Sequence, residues 1–159
     1  MYKSSIAQSW LDTNEYPFQS NYFTTDYGKL HFIDEGKGDV ILFVHGTPTW
    51  SFLYRNYIKA FSKTYRCVAL DHIGFGLSDK PKNYPGTPQE HAKNLNLLIE
   101  HLNLKNITLV VHDFGGPIGM SYALSYPENV KRIVMFNTWL LETKNDKDAQ
   151  KIDKILHSR

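Results

Sequence analysis

The chain has a single cysteine, Cys67, so no intrachain disulfide forms and a reducing compartment is expected. It has no excess of one charge: 18 Lys and Arg stand against 16 Asp and Glu, a net +2. No basic block stands out, which argues against nucleic acid as the main partner. No apolar run approaches the ~20 residues that a membrane span needs. The first ten residues, Met1 to Trp10, lack the apolar core of a signal peptide. Together these absences predict a cytoplasmic protein with no membrane partner. The seven histidines show no zinc pattern. His91 and His101 are not one or two helical turns apart, and the lone cysteine has no companion, so no metal is expected. Gly74-Phe75-Gly76 is followed by Asp79 and lies in a loop closed by Pro81, which is not a dinucleotide fingerprint, so no cofactor is expected. Repeats, low-complexity tracts and interdomain linkers are all missing.

What remains is a globular composition, 42% hydrophobic and 21% charged, in 159 residues, enough for one domain with a sizeable core. The 14% aromatic share suits a dense core or an aromatic-lined pocket. Tyr22 to Thr25 and Leu30 to Asp34 read as strands joined by an Asp26-Tyr27-Gly28 turn. Val40 to Val44 is a continuous apolar run, as in a strand buried on both faces. A helix carrying Leu53, Tyr54, Tyr57, Ile58 and Phe61 follows, with Thr49 or Ser51 as its cap. Cys67 to Leu70 is the next strand. Thr87-Pro88-Gln89-Glu90 opens a helix with a capping Thr, Pro at its first position and Glu three residues on. Val130 to Phe136 is a last strand. Lys144 to Arg159 is charged, with a thin apolar stripe of Ala149, Ile152, Ile155 and Leu156. Strands alternating with helices from Val40 to Phe136 predict an α/β fold with a mostly parallel sheet.

The most informative stretch is Leu109-Val110-Val111-His112-Asp113-Phe114-Gly115-Gly116-Pro117-Ile118-Gly119. An apolar strand ends in a polar residue, an acid and paired glycines. A helical pattern follows, with Ile118, Met120, Ala123 and Leu124 as its apolar positions. Strand, tight turn and helix describe a nucleophile elbow, with Asp113 where the nucleophile stands. The plainer alternative is a βα turn whose Asp caps the helix. Three polar loops, His45–Thr49, Asp71–Asp79 and His112–Gly116, fall at the carboxyl ends of strands, where sites form in such sheets. Their convergence favours a functional Asp113. His45, His72 and His112, also at strand ends, read as local hydrogen-bonding residues.

Three motifs occur in this order: His45-Gly46-Thr47-Pro48-Thr49-Trp50, Asp71-x-x-Gly74-x-Gly76-x-Ser78-Asp79-Lys80-Pro81, and His112-Asp113-Phe114-Gly115-Gly116. With Tyr16-Pro17-Phe18 and the stretch around His31 to Gly36, they make the chain resemble the haloalkane dehalogenase group of the α/β-hydrolase fold, from about Trp10 to Trp139. The resemblance implies a hydrolase that cleaves carbon–halogen bonds in small apolar molecules through an alkyl-enzyme ester, without a cofactor. Its chemistry follows from the residues. A carboxylate, with a reference pKa of about 3.9, is already ionised at neutral pH, whereas a serine needs a base to take its proton. Attack makes an ester on Asp113, whose hydrolysis passes through an oxyanion held by backbone N–H groups, here of Thr47 and Phe114. Thr47, Trp50 and Phe114 are the candidate substrate-binding residues.

The sequence departs from that group in three ways. The group usually carries a tryptophan after the nucleophile, whose N–H holds the leaving halide; here Phe114 has no donor. Many members have asparagine where this chain has Thr47. Epoxide hydrolases of the same fold, which open epoxides by an Asp nucleophile without that tryptophan, are the alternative. Third, the general-base histidine of this fold comes after the acid, yet only His157 follows Asp113, while Glu142, Asp146, Asp148 and Asp153 read as solvated helix charges. Residues 1–139 are therefore read as the N-terminal part of the core domain and 140–159 as the start of a cap region. The fold is expected to be truncated before the cap and the last strands. On that reading the chain is a truncated or split fragment that does not turn over alone. Strand 130–136 is expected to be an exposed edge that self-associates or takes a complementing second half.

Overall fold

In the computed structural model, which describes residues 10–139, strands β1 (Asn21–Thr25) and β2 (Gly28–Glu35) open the sheet. They pair antiparallel with Thr25 opposite Gly28. Gly28 has φ +130°, a conformation open to glycine, and a side chain there would also collide with Asp79.

Strand β3 (Val40–Val44) is buried along its whole length. Val40, Leu42 and Val44 enter the core on one face of the sheet, and Ile41 and Phe43 the core on the other. A 3-10 turn (Ser51–Tyr54) leads into α1 (Arg55–Phe61). The expected cap is corrected here: neither Thr49 nor Ser51 caps the turn. Trp50 holds the cap position with no side-chain bond, and the Ser51 N–H is instead accepted by Asp71 Oδ1 at 2.8 Å. A carboxylate from a neighbouring strand end does the work of a local cap.

Strand β4 (Arg66–Leu70) precedes α2 (Pro88–His101), and the Thr87 side chain accepts the Glu90 N–H at 3.3 Å, as its sequence predicts. Strand β5 (Ile107–His112) runs into α3 (Gly115–Ser125). The apolar face of α3 needs one correction. Ile118 and Ala123 are buried, but Leu124 is 78% exposed and Tyr122 takes the inward place. The Tyr122 hydroxyl accepts Asn129 Nδ2, a polar handle that lets a tyrosine fill the core. Strand β6 (Val130–Phe136) follows.

The strand order is β1-β2-β4-β3-β5-β6. Strands β4, β3, β5 and β6 are parallel, as expected, while β2 pairs antiparallel with β4, so the sheet is mixed and mainly parallel. Helices α2 and α3 cover one face with Leu95, Leu98 and Ile118. Helix α1 and Tyr54 cover part of the other with Ile58. From β3 the chain moves to β4 on one side and then to β5 on the other. The carboxyl ends of β3 and β5 thus flank the point where strand order reverses, the position of sites in open α/β sheets.

Strand β6 is the sheet edge among the described residues, and Ile133, Val134, Met135 and Phe136 are each 38–54% exposed. An apolar groove of about 360 Å³ lies beside it, lined by Phe43, Tyr57, Phe61, Val110, Val134 and Phe136. Among the described residues the expected exposed edge is therefore present. The reading of 140–159 as a cap region and the place of His157 lie outside the described residues. No helix among the described residues is long and apolar enough to cross a membrane.

Candidate active site

Asp113 stands between β5 and α3 with φ +52°, a left-handed backbone rare for a residue with a side chain. Such strain persists only where the surroundings over-determine it. Four contacts do so here. Gly116 N–H donates to Asp113 O at 2.9 Å, and Thr138 Oγ1 donates to the same carbonyl at 2.6 Å. Gly115 lies so close to the Val44 carbonyl that no Cβ fits, and at Gly116 the space of a Cβ is taken by the Thr138 side chain. The paired glycines thus allow the turn to be wedged between β3 and the segment after β6. The plain alternative of a helix-capping Asp is not what forms. Phe114 holds the cap position of α3 without a side-chain bond, and the Asp113 carboxylate points across to the next loop.

There Thr47 N–H donates to Asp113 Oδ1 at 2.8 Å. Gly46 allows this approach, since a Cβ at Gly46 would run into the carboxylate and the Phe114 amide. The structure therefore brings together Asp113, the Thr47 N–H and the Phe114 N–H, which the sequence singled out. One carboxylate oxygen is held by a backbone donor, and Oδ2 has no hydrogen-bond partner among the described residues. A carboxylate so held can attack with Oδ2 while Oδ1 stays in place.

Trp50 goes elsewhere. Its ring packs on Tyr16, Phe52 and Trp10, with centroids 5.1–5.8 Å apart. The cavity next to the elbow, about 480 Å³, is lined instead by Gly46, Thr47, His72, Phe75, His91 and Phe114. The pocket-lining role expected of Trp50 gains no support from this placement.

The loop that carries Thr47 rests on a buried polar network. Asp71 is fully buried and accepts from His31 Nδ1 at 3.0 Å, Ser51 N–H at 2.8 Å and Leu77 N–H at 2.8 Å. Burial alone would raise its carboxyl, but the His31 hydrogen bond and charge and the Leu77 N–H outweigh that and hold it below the ordinary value. Ser78 Oγ donates to Asp71 O and accepts the His31 N–H, and Tyr16 meets Ser51 through their hydroxyls. Sequence reading gave His31 no role, because a histidine within a strand carries no local signal. Its partner lies 40 residues away.

His45, His72 and His91 lie in series, with centroids 4.4 and 4.7 Å apart and ring planes tilted by 50° and 54°. His45 accepts the His72 N–H at Nε2, so its Nδ1 carries the proton given to Gly46 O. His72 Nε2 bonds His45 O, and Tyr84 O–H bonds His91 Nδ1. Burial lowers the pKa of all three: His72 well below its ordinary value, His91 to about 4. They are neutral hydrogen-bonding groups, as their positions at strand ends suggested for His45 and His72. Cys67 is buried and its thiol is pushed up to about 11 by burial, so it is an inert core residue.

Comparison with known proteins fits this geometry. Residues 39–157 match the family of the alpha/beta hydrolase fold. A cis-3-alkyl-4-alkyloxetan-2-one decarboxylase of Shewanella oneidensis is 50% identical over 125 residues, covering 77% of this chain and 39% of that protein. Haloalkane dehalogenase 2 of Mycobacterium tuberculosis is 43% identical over 128 residues, covering 80% of this chain and 45% of the relative. The solved structure of haloalkane dehalogenase DpaA from Paraglaciecola agarilytica superposes with a TM-score of 0.77 at 32% identity, over 92% of this chain and 55% of that one. The chain thus spans about half the length, or less, of these relatives.

Proposed function

Because the chain belongs to the α/β-hydrolase fold family and is haloalkane dehalogenase-like within it, we propose that Asp113 is the nucleophile of a displacement at saturated carbon. Oδ2 of Asp113 forms a bond to the carbon as the carbon–halogen bond breaks, and the halide leaves with the bonding pair. The product is an alkyl ester on Asp113. The observation that carries this reading is the hydrogen bond from Thr47 N–H to Oδ1. It orients the carboxylate, and in this reading the same N–H, with that of Phe114, receives the oxyanion when water attacks the ester carbonyl. The substrate is a small apolar molecule, in keeping with the aromatic rings of Phe75 and Phe114 along the cavity.

A second reading is favoured by one feature, the hydrocarbon side chain at Phe114. A halide leaves as a free ion, whereas opening a four-membered lactone leaves a carboxylate that stays tethered and spreads its charge over two oxygens. Attack of Oδ2 on the ring carbon bearing oxygen breaks that C–O bond. The C–CO2 bond then breaks, its electron pair forms the C=C bond, and the Asp113 ester releases its carboxylate. Carbon dioxide and an alkene result, with no water and no general base consumed. The 50% identity to an oxetan-2-one decarboxylase supports this reading.

Incubation with 1-bromobutane and, separately, with a cis-3,4-dialkyloxetan-2-one distinguishes the two. Bromide release, at least one equivalent per chain and lost in Asp113→Asn, is the expected result for displacement at a carbon–halogen bond. Carbon dioxide release without bromide release supports the lactone reading. Release of either product undiminished in Asp113→Asn overturns the role of Asp113. We also propose that β6 self-associates or takes a complementing polypeptide through its exposed edge.

A further inference from the structure

A sheet of parallel strands ordinarily has helices over both of its faces. Strands lie about 4.8 Å apart and a helix is about 10 Å wide, so one helix covers about two strands. The parallel strands β4, β3, β5 and β6 therefore call for two helices on each face. On one face α2 and α3 supply them. On the other, α1 and the turn before it cover β4 and β3, with Ile58 and Tyr54 in the core that holds Ala69 and Phe43. No described helix lies over β5 and β6 on that face. The space is the apolar groove beside the edge. Val110 and Val134, opposite each other in register, form its floor. Tyr57, Phe61 and Tyr65 stand along one side, with ring centroids 6.3 and 6.2 Å apart, a row about two helical turns long. Each of these rings is 39–46% exposed. Among the described lining residues only Arg132 is charged, and it lies opposite Thr108 near the amino end of β5.

We propose that this groove is the docking site of an amphipathic helix from a complementing polypeptide, packed beside α1 and over β5 and β6. This rests on the reading that β6 takes such a polypeptide, and it is independent of the role of Asp113. A second copy of the chain does not fit. Pairing along β6 would extend the sheet and leave the face bare. Among the described residues, α2 and α3 already spend their apolar faces on the core. The relatives have the material, since the match to this chain takes up 39% of one and 45% of another. The lining sets what the helix carries. Apolar side chains three and four residues apart meet the aromatic row and Val134. A carboxylate near one end meets Arg132, because facing surfaces of opposite charge fix register.

The test places the photoreactive residue p-benzoylphenylalanine in place of Phe61 in the full chain. That chain is co-expressed with the part of the Shewanella oneidensis decarboxylase that lies outside the matched stretch. The expected result is a complex of one chain with one partner. On illumination it crosslinks to a single peptide of the partner, whose apolar residues are spaced by three and four. A crosslink to a second copy of the chain, or to a peptide of alternating apolar residues, overturns the proposal. A complex without a crosslink from this position also overturns it, while the reading of the β6 edge stands. The absence of any complex removes both. Phe61→Glu is expected to weaken the complex about 30-fold or more, as for a central aromatic contact. Unchanged affinity in that variant overturns the proposal. Arg132→Glu should weaken it about 2- to 5-fold, as for an exposed ion pair, and unchanged affinity there overturns the carboxylate contact.

Discussion

The two flanks of Asp113 are built differently. On the β4 side, the loops at 45–51 and 71–78 are locked by the fully buried Asp71, with three N–H donors on its carboxylate, and by three neutral histidines in series. On the β6 side, the Thr138 hydroxyl and the Asp113 N–H to Phe136 O bond tie the chain to the elbow, and the strand itself lies largely open to solvent. The comparison separates two tasks. The buried flank fixes one carboxylate oxygen through Thr47. The open flank leaves an apolar strand edge and the groove beside it exposed.

If the buried flank sets the geometry, breaking it has the largest consequence. Asp71→Ala leaves the Ser51 and Leu77 N–H groups and the His31 ring without their acceptor. It is expected to cost about 3–5 kcal/mol in urea unfolding, the range for removing one member of a buried charged network. A loss under 1 kcal/mol would show that the network is dispensable. Gly46→Ala acts one step nearer the chemistry, forcing the carboxylate off the Thr47 N–H. Alkylation of Asp113 should slow on the order of a hundredfold or more, roughly 3 kcal/mol in the barrier, while the fold persists by circular dichroism.

A smaller effect tests the three histidines in series. Their folded pKa values lie below the unfolded value of about 6.5. The unfolded chain therefore takes up protons that the folded chain refuses, and stability is full above that pH. It falls as the pH drops from about 6.5 toward the His91 value of about 4. His91→Gln should flatten the melting temperature over that window, by an amount equivalent to about 1–2 kcal/mol once solvent screening of the ring is allowed for. The smallest effect belongs to the open flank. Val134→Lys should change unfolding free energy by less than about 0.5 kcal/mol, as for other exposed sites. It should make sedimentation at high concentration more uniform, because a charged edge discourages strand pairing. Unchanged association would locate the contact elsewhere.

Legibility in the sequence follows the same division. Signals that act over a few residues were readable: the Thr87 cap, the buried run Val40–Val44, the turn at Gly28, and the elbow with its paired glycines. Signals that act across the sheet were not. The turn at Ser51 looked as if it needed its own cap because Asp71, 20 residues on, does not announce itself as its partner. Leu124 was preferred to Tyr122 as the more apolar residue, but Tyr122 lies one turn from the buried Ile118, packs in the same core, and has Asn129 as partner for its hydroxyl. The antiparallel pairing of β2 with β4 has no local mark. Thr138 was missed as a residue of the elbow because its partner, Asp113, lies 25 residues earlier. The only available signal was its place just beyond the carboxyl end of a strand beside β5.

The central claim is that the elbow presents Asp113 as a nucleophile. Intact mass and peptide mapping after exposure to 1-bromobutane address it most directly. The expected result is one butyl group on the peptide containing Asp113, absent in Asp113→Asn. A butyl group on another residue, or none on a chain shown to be folded, would contradict it.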